Sequence, residues 1–178
     1  MKDVELKLVC ELMKNSRRSD RELAKVLGVS QPTVSRVMKK LEEQGVIKEY
    51  TMIPDFTKLG FEIMSIDFAT LKEPIPEEKL VEVRKQVRQT LQTEPISSIV
   101  AMSGMGCNAD RVIVAFHEDY STYMKFLSKI RQHPLVLVDQ IKSFLVNLND
   151  RSQYLPLTLS GLADYIAYKK RQKSEGES

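Results

Sequence analysis

Gln31, Thr33, Ser35, Arg36, Lys39 and Lys40 crowd into one short stretch of the 178-residue chain, with Ser30 at its head and Arg17 and Arg18 upstream. None of these is a nucleophile with a base at its side. Amides and hydroxyls form hydrogen bonds in either sense, and a guanidinium addresses two acceptors at once. Ammonium groups neutralise phosphates. The chemistry on offer is recognition of a polyanion with patterned edges. Between positions 14 and 40 there are eight Lys or Arg against two acids, Asp20 and Glu22, although the whole chain carries a net charge of only +3.

Two helices must position these groups. Val34, Val37, Met38 and Leu41 recur at helical spacing and predict the buried stripe of the second. Ser30 can cap it, Pro32 suits its first turn, and Gly45 ends it. Upstream, Ser19 or Asp20 can cap a shorter helix with Leu23, Ala24 and Leu27 on its apolar face. Gly28 follows directly, where a helix C-terminus favours a residue that tolerates positive φ. This is the pattern of a helix-turn-helix whose second, polar helix enters a major groove. A plain helical pair with a solvated basic face is the alternative. Caps, glycine turn, polar face and local charge together argue against it.

The segment resembles the Lrp/AsnC (feast/famine) transcription regulators. The matching residues are Arg17-x-Ser19, Glu22-Leu23-Ala24, Gly28-Val29-Ser30, Thr33-Val34-Ser35-Arg36, Leu41-Glu42, Gly45-Val46-Ile47 and Tyr50. Val37 departs from the family, which often has a second arginine there. The resemblance covers residues 1 to about 149. It implies a DNA-binding domain followed by a domain that dimerises, assembles further and binds effectors between subunits.

Composition narrows the other choices. Hydrophobic residues make up 42% and charged residues 29%, which suits a packed, water-exposed protein. No apolar run approaches the ~20 residues of a membrane span, and the N-terminal segment lacks the apolar core of a signal peptide. A cytoplasmic location is therefore expected. Cys10 and Cys107 lie far apart without metal-ligand spacing and are expected to be inert thiols. His117 and His133 are isolated and are expected at the surface or at strand ends. No phosphate loop, nucleophile elbow or zinc signature is present. No cofactor, metal or catalytic residue is expected.

Asp3 can cap a first helix expected to run to about Lys14, with Val4, Leu8, Val9 and Leu12 packing on Leu23, Leu27, Val34 and Leu41. Residues 46–53 are β-branched and partly alternating, which predicts a short strand or wing. Thus 1–53 is expected as the helix-turn-helix domain, 54–60 as a linker and 61–149 as a second domain.

In that second domain the period changes. Strands are expected at 61–71, 96–102, 111–117 and 135–149, the last bulged near Ser143, and helices at 77–93 and 120–132. The order β-α-β-β-α-β predicts a ferredoxin-like α+β domain behind the winged helix-turn-helix. Apolar strand residues such as Ile63 and Ile113 point to a sheet face covered by a partner subunit. Residues 150–178 form an extension, helical from about 158 to 172. Leu159, Leu162, Tyr165 and Ile166 would share one side, either docking on the chain's own sheet or a neighbour, or serving as a protein- or DNA-contacting arm.

The expected function is a sequence-specific double-stranded-DNA-binding regulator, a homodimer or higher oligomer, and not an enzyme. Arg17, Arg18, Ser30, Gln31, Thr33, Ser35, Arg36, Lys39 and Lys40 are its candidate DNA contacts. Two alternatives share features with it. Sirohaem decarboxylases resemble this family in fold and act on a tetrapyrrole. A nucleoid-architectural protein would bind DNA with weak sequence preference. The resemblance also implies an amino acid or similar small-molecule effector near the turn between the second and third strands. There the family often has Gly-x-x-Asp, and here the stretch runs from Gly104 to Asp110, with the glycine three residues too early. Gly104, Gly106, Asn108, Asp110 and Arg111 are the candidate effector contacts in a lengthened turn. A hairpin whose Gly and Asn only satisfy turn geometry is the competing reading.

Overall fold

A computed structural model describes residues 1–93, 97–132, 138–150, 152 and 157–176. In chain order the elements are α1 (Asp3–Lys14), α2 (Asp20–Leu27), α3 (Gln31–Glu43), β1 (Ile63–Leu71) and α4 (Glu77–Thr93). They continue with β2 (Ser98–Gly106), β3 (Ala109–His117), α5 (Tyr120–Arg131), β4 (Val138–Asn147) and α6 (Ser160–Gly176). The chain divides into a helical unit, residues 1–53 with 153–178, and a sheet unit, residues 54–152. Among the described residues no helix is long and apolar enough to cross a membrane.

In the helical unit, Leu8, Leu12, Leu23, Ala24, Val34 and Leu41 are buried together. Val9, Leu27, Val29, Val37, Met38 and Ile47 close around them. Each fully buried leucine contributes about 1.5–3 kcal/mol, so this cluster dominates the unit's stability. Lys2, not Asp3, is the residue before α1, and its amide donates to Glu5 Oε2 at 2.7 Å.

The strand expected at 46–53 does not form: no described residue pairs with it as a sheet neighbour. The amides of Val46 and Ile47 instead turn back to the Leu41 carbonyl. Tyr50 Oη donates to Glu42 Oε1 at 2.7 Å, and Ser16 Oγ to the Thr51 carbonyl at 3.1 Å. A β-branched pattern makes a strand only where another edge offers partners.

The C-terminal helix corrects another expectation. α6 joins the helical unit and docks on α1. Lys14 reaches Asp164 at 2.7 Å and Lys170 reaches Asp3, so the two helices run antiparallel. The face turned inward carries Ala163, which is fully buried, and half-buried Ile166 and Ala167, while Leu159, Leu162 and Tyr165 are exposed. Small residues win the contact because they let helix backbones approach closely. Side chains of Arg171 and Lys173 lie outside the described residues.

In the sheet unit the strand order is β2-β3-β1-β4, with every neighbouring pair antiparallel. This is the ferredoxin-like arrangement. α5 covers one face through buried Tyr123, Phe126 and Leu127. α4 has Leu80, Val83 and Val87 half-buried, while the side chain of Leu91 lies outside the described residues. The covered face of β1 carries Ser65, Asp67, Ala69 and Leu71, all buried. Ile113 lies on this helix side and packs on the α5 cluster, and Ile63 pairs with buried His117 on the same side, so neither marks the open face. The open face instead carries Met64, Ile66 and Phe68 of β1 beside Phe116, Val114 and Val112 of β3. Bulky α5 rings fill the covered side, and the strand meets them with small and polar side chains.

Residues 54–60, expected as a linker, belong to this unit. A single 3-10 turn, Thr57–Leu59, places Phe56 on Phe116 with ring centroids 3.8 Å apart and 9° between planes. The bulge expected near Ser143 is also elsewhere. Ser143 pairs regularly with Asp67, and the register shifts between Thr70 and Leu71. Ser143 is exposed, so a polar side chain is tolerated in that register.

Candidate nucleic-acid interface

Local rules build the helix-turn-helix. Ser19 caps α2, and Glu22 Oε2 accepts from the Ser19 amide at 2.8 Å, closing a capping box. The helix ends at Gly28 with φ 67°, a conformation that suits glycine. The Val29 amide donates to the Ala24 carbonyl at 3.1 Å, which sets the entry to α3. Ser30 then caps α3 by accepting from the Thr33 amide, with Pro32 in the first turn.

The nine candidate residues separate into two groups. Gln31, Arg36 and Lys39 project from the exposed side of α3, and Arg17 is exposed on the preceding loop. Among the described residues, the side chain of Arg36 has no hydrogen-bond or ion-pair partner. Lys39 lies only loosely by Glu43, at 3.9 Å.

The others are engaged within the chain. Ser30 Oγ and Thr33 Oγ1 bond each other at 2.8 Å. The Ser35 hydroxyl donates to the Asp20 carboxylate, and Arg18 pairs with Glu11. Lys40 Nζ sits 2.6 Å from Oε1 of buried Glu5, tying α3 to α1. The Lys40 ammonium, then the Lys2 amide, hold the Glu5 carboxyl below its ordinary range. Sequence reasoning missed Asp20 and Glu5 as anchors. Their partners lie 15 and 35 residues away, beyond any helical spacing rule.

His117 ends β3, at a strand end as expected, but it is buried rather than on the surface, at 2% exposed. Its Nε2 lies 2.8 Å from Ser65 Oγ, which donates to Asp67 Oδ2 at 2.7 Å. Because the single Ser65 proton goes to Asp67, His117 is the donor to Ser65 through Nε2–H. Tyr123 and Phe126 rings pack on the imidazole at 5.3 and 4.9 Å. Burial pushes His117 down from its ordinary value of 6.5, and Asp67 pulls the other way. The imidazole is closed off from any tetrapyrrole-sized partner. His133 lies outside the described residues. Among the described residues no group of three or more His, Cys, Asp or Glu is placed to hold a metal ion.

The candidate effector turn is shorter than expected. β2 runs through Gly104 to Gly106, β3 starts at Ala109, and Cys107 and Asn108 alone make the turn at φ 53° and 55°. The extra residues lengthen the strands and leave a tight two-residue hairpin. Gly106 takes a positive φ of 139°, whereas Gly104 does not. Asp110 Oδ2 accepts from the Leu71 amide at 3.3 Å, and Arg111 folds back onto the Asp110 carbonyl at 2.7 Å. Cys107 is exposed at the tip and Cys10 is buried.

Residues 1–48 match the winged helix-turn-helix DNA-binding family. An uncharacterized HTH-type transcriptional regulator of Pyrococcus abyssi is 30% identical over 146 residues, covering 79% of this chain and 94% of the relative. The HTH-type transcriptional regulator LrpC of Bacillus subtilis is 41% identical over 69 residues, which is 39% of this chain and 48% of LrpC. The LrpC structure superposes with a TM-score of 0.65 over 87% of this chain and 99% of that one, at 24% identity. The transcriptional regulator NMB0573 of Neisseria meningitidis, solved as an L-Met complex, superposes with a TM-score of 0.68 at 16% identity, covering 91% of this chain and 99% of that one. With the capped helix pair in front of a ferredoxin-like sheet, these likenesses place the chain in the Lrp/AsnC family of helix-turn-helix transcriptional regulators.

Proposed function

We propose that the chain binds double-stranded DNA sequence-specifically through α3 and acts as a homodimer or a multiple of one. The observation that carries this reading is the exposed, unpaired guanidinium of Arg36 beside Gln31 and Lys39 on a rigidly capped helix. Arg36 reads base edges, while Arg17 and Lys39 contact phosphates. Lys40, Ser30, Thr33, Ser35 and Arg18 hold the presenting surface in place. Arg36→Ala is expected to relax base preference at one half-site position and weaken specific binding by about 1–3 kcal/mol. Lys40→Ala is expected to lower the melting midpoint of the helical unit and leave base preference unchanged. Binding-site selection and thermal melts on both variants decide between these roles. Weak, sequence-indifferent binding by the unaltered protein would favour the architectural alternative.

The open sheet face supports self-association. Ile66 lies between Val114 and Phe144, and Phe68 lies between Val112 and Lys142. Met102 and Phe144 are 63% and 64% exposed. Continuous apolar area of this kind is energetically poor in water and favours a second copy. The double variant Ile66→Lys, Phe144→Lys is expected to sediment as a monomer at micromolar concentration. An unchanged oligomer would reject this face as the interface. An amino-acid effector fits the same reading and is supported by the L-Met complex of NMB0573. Gly104, Gly106, Asn108, Asp110 and Arg111 are its candidate contacts, to be tested by calorimetry on Asp110→Ala.

A further inference from the structure

The docking of α6 on α1 leaves a cavity of about 500 Å³ in the helical unit. Its floor is apolar: Leu6 and Cys10 of α1, Leu27 of α2 and Ala167 of α6. Val26, at the last turn of α2, forms a wall. The cavity exists because α6 turns alanines inward and keeps Leu162 and Tyr165 outside. Pockets of this size take small organic ligands.

The two ends of the cavity differ in charge. At one end the lining residue Lys14 sits between two acids, Glu11 at 3.9 Å and Asp164 at 2.7 Å. At the other, Asp3 is shared between Lys7, at 2.9 Å, and Lys170. Lys7 therefore holds only part of a carboxylate, and its side chain is 62% exposed. An anionic headgroup at Lys7 would extend an apolar body over Leu6, Cys10 and Leu27.

We propose that this cavity is a binding site for an amphipathic monocarboxylate, with its carboxylate at Lys7 and its apolar chain on the α1–α2–α6 floor. The occupant bridges α6 to the DNA-binding helices and holds α6 docked. It also touches Val26 and Leu27, immediately before the Gly28 turn that sets α3. Binding itself does not depend on the regulatory reading above. Its effect on DNA affinity through the Gly28 turn rests on that reading.

The test uses the full chain with decanoate below its micelle concentration, and decan-1-ol as the neutral counterpart. In Cys107→Asn, which keeps a residue suited to the left-handed backbone, Cys10 is the one remaining thiol. Decanoate is expected to slow its alkylation at least about tenfold, because bound ligand blocks the site and stabilises docked α6. Methyl resonances of Leu6, Leu27 and Ala167 are expected to shift in the same titration. Lys7→Gln should weaken decanoate binding about tenfold and leave decan-1-ol binding unchanged. Ala167→Phe should abolish both by filling the cavity. Absence of protection and of methyl shifts overturns the proposal, as does equal decanoate affinity in Lys7→Gln. If Ala167→Phe displaces α6, the exposed Lys7→Gln variant still decides. No readout involves DNA, so failure here is distinguishable from failure of the regulator reading.

Discussion

Ser65→Ala is expected to destabilise the sheet unit by about 2–5 kcal/mol, because two buried polar groups lose their shared partner at once. Ser65 is fully buried, accepts from His117 Nε2 and donates to Asp67 Oδ2. No water can replace it without opening the α5 face, where Tyr123 and Phe126 seal the imidazole. Chemical denaturation of the full chain measures the loss. A change under about 0.5 kcal/mol, the range of an ordinary surface substitution, would show that the cluster is not a structural anchor.

The same cluster makes stability depend on pH. Burial lowers the folded-state pKa of His117 below its ordinary value of 6.5, so the fold disfavours the imidazolium. Its contribution is complete above that unfolded value and is lost as pH falls through it toward the folded one. The denaturation midpoint should therefore drop between about pH 7.5 and about pH 5.5, the interval in which free histidine titrates. His117→Asn should remove that part of the slope.

Leu23→Ala is expected to cost about 2–5 kcal/mol in the helical unit. Leu23 is fully buried between Leu8, Val34 and Leu41, where α1, α2 and α3 meet. Its removal leaves a void that three packed helices cannot all close. Val26→Ala, three residues on and 56% exposed, is the control and should change stability little. Calorimetric melting separates the two. Leu23→Ala should also lose DNA affinity as the unit unfolds and regain it on cooling. Arg36→Ala should lose affinity with its melting midpoint unchanged. If Leu23→Ala bound poorly while fully folded, the division between scaffold and reading face would be wrong.

Local rules acting on the sequence were sufficient for the helix-turn-helix. Ser19 with Glu22, Gly28, Ser30 and Pro32 each act within a few residues, through caps, positive φ and a dispensable N–H. Helical periodicity likewise located Leu23, Val34 and Leu41 on the buried side. The β-α-β-β-α-β order was legible because period and turn residues change along the chain.

Only the tertiary structure decided which face each element buries when both were plausible. The apolar face of β1 lies open, while Ser65 and Asp67 go inward because His117 arrives from a strand 52 residues away. The extra residues before Asp110 became strand, because Gly106 and Ala109 could pair across a two-residue turn. Lys40 and Ser35 turned to Glu5 and Asp20, acids brought close by helix crossing. α6 chose α1 through Ala163, Ala167 and two end-to-end ion pairs, against the pull of its own larger apolar residues. In each case the deciding partner is distant in sequence, and side-chain type alone does not say which partner will be within reach.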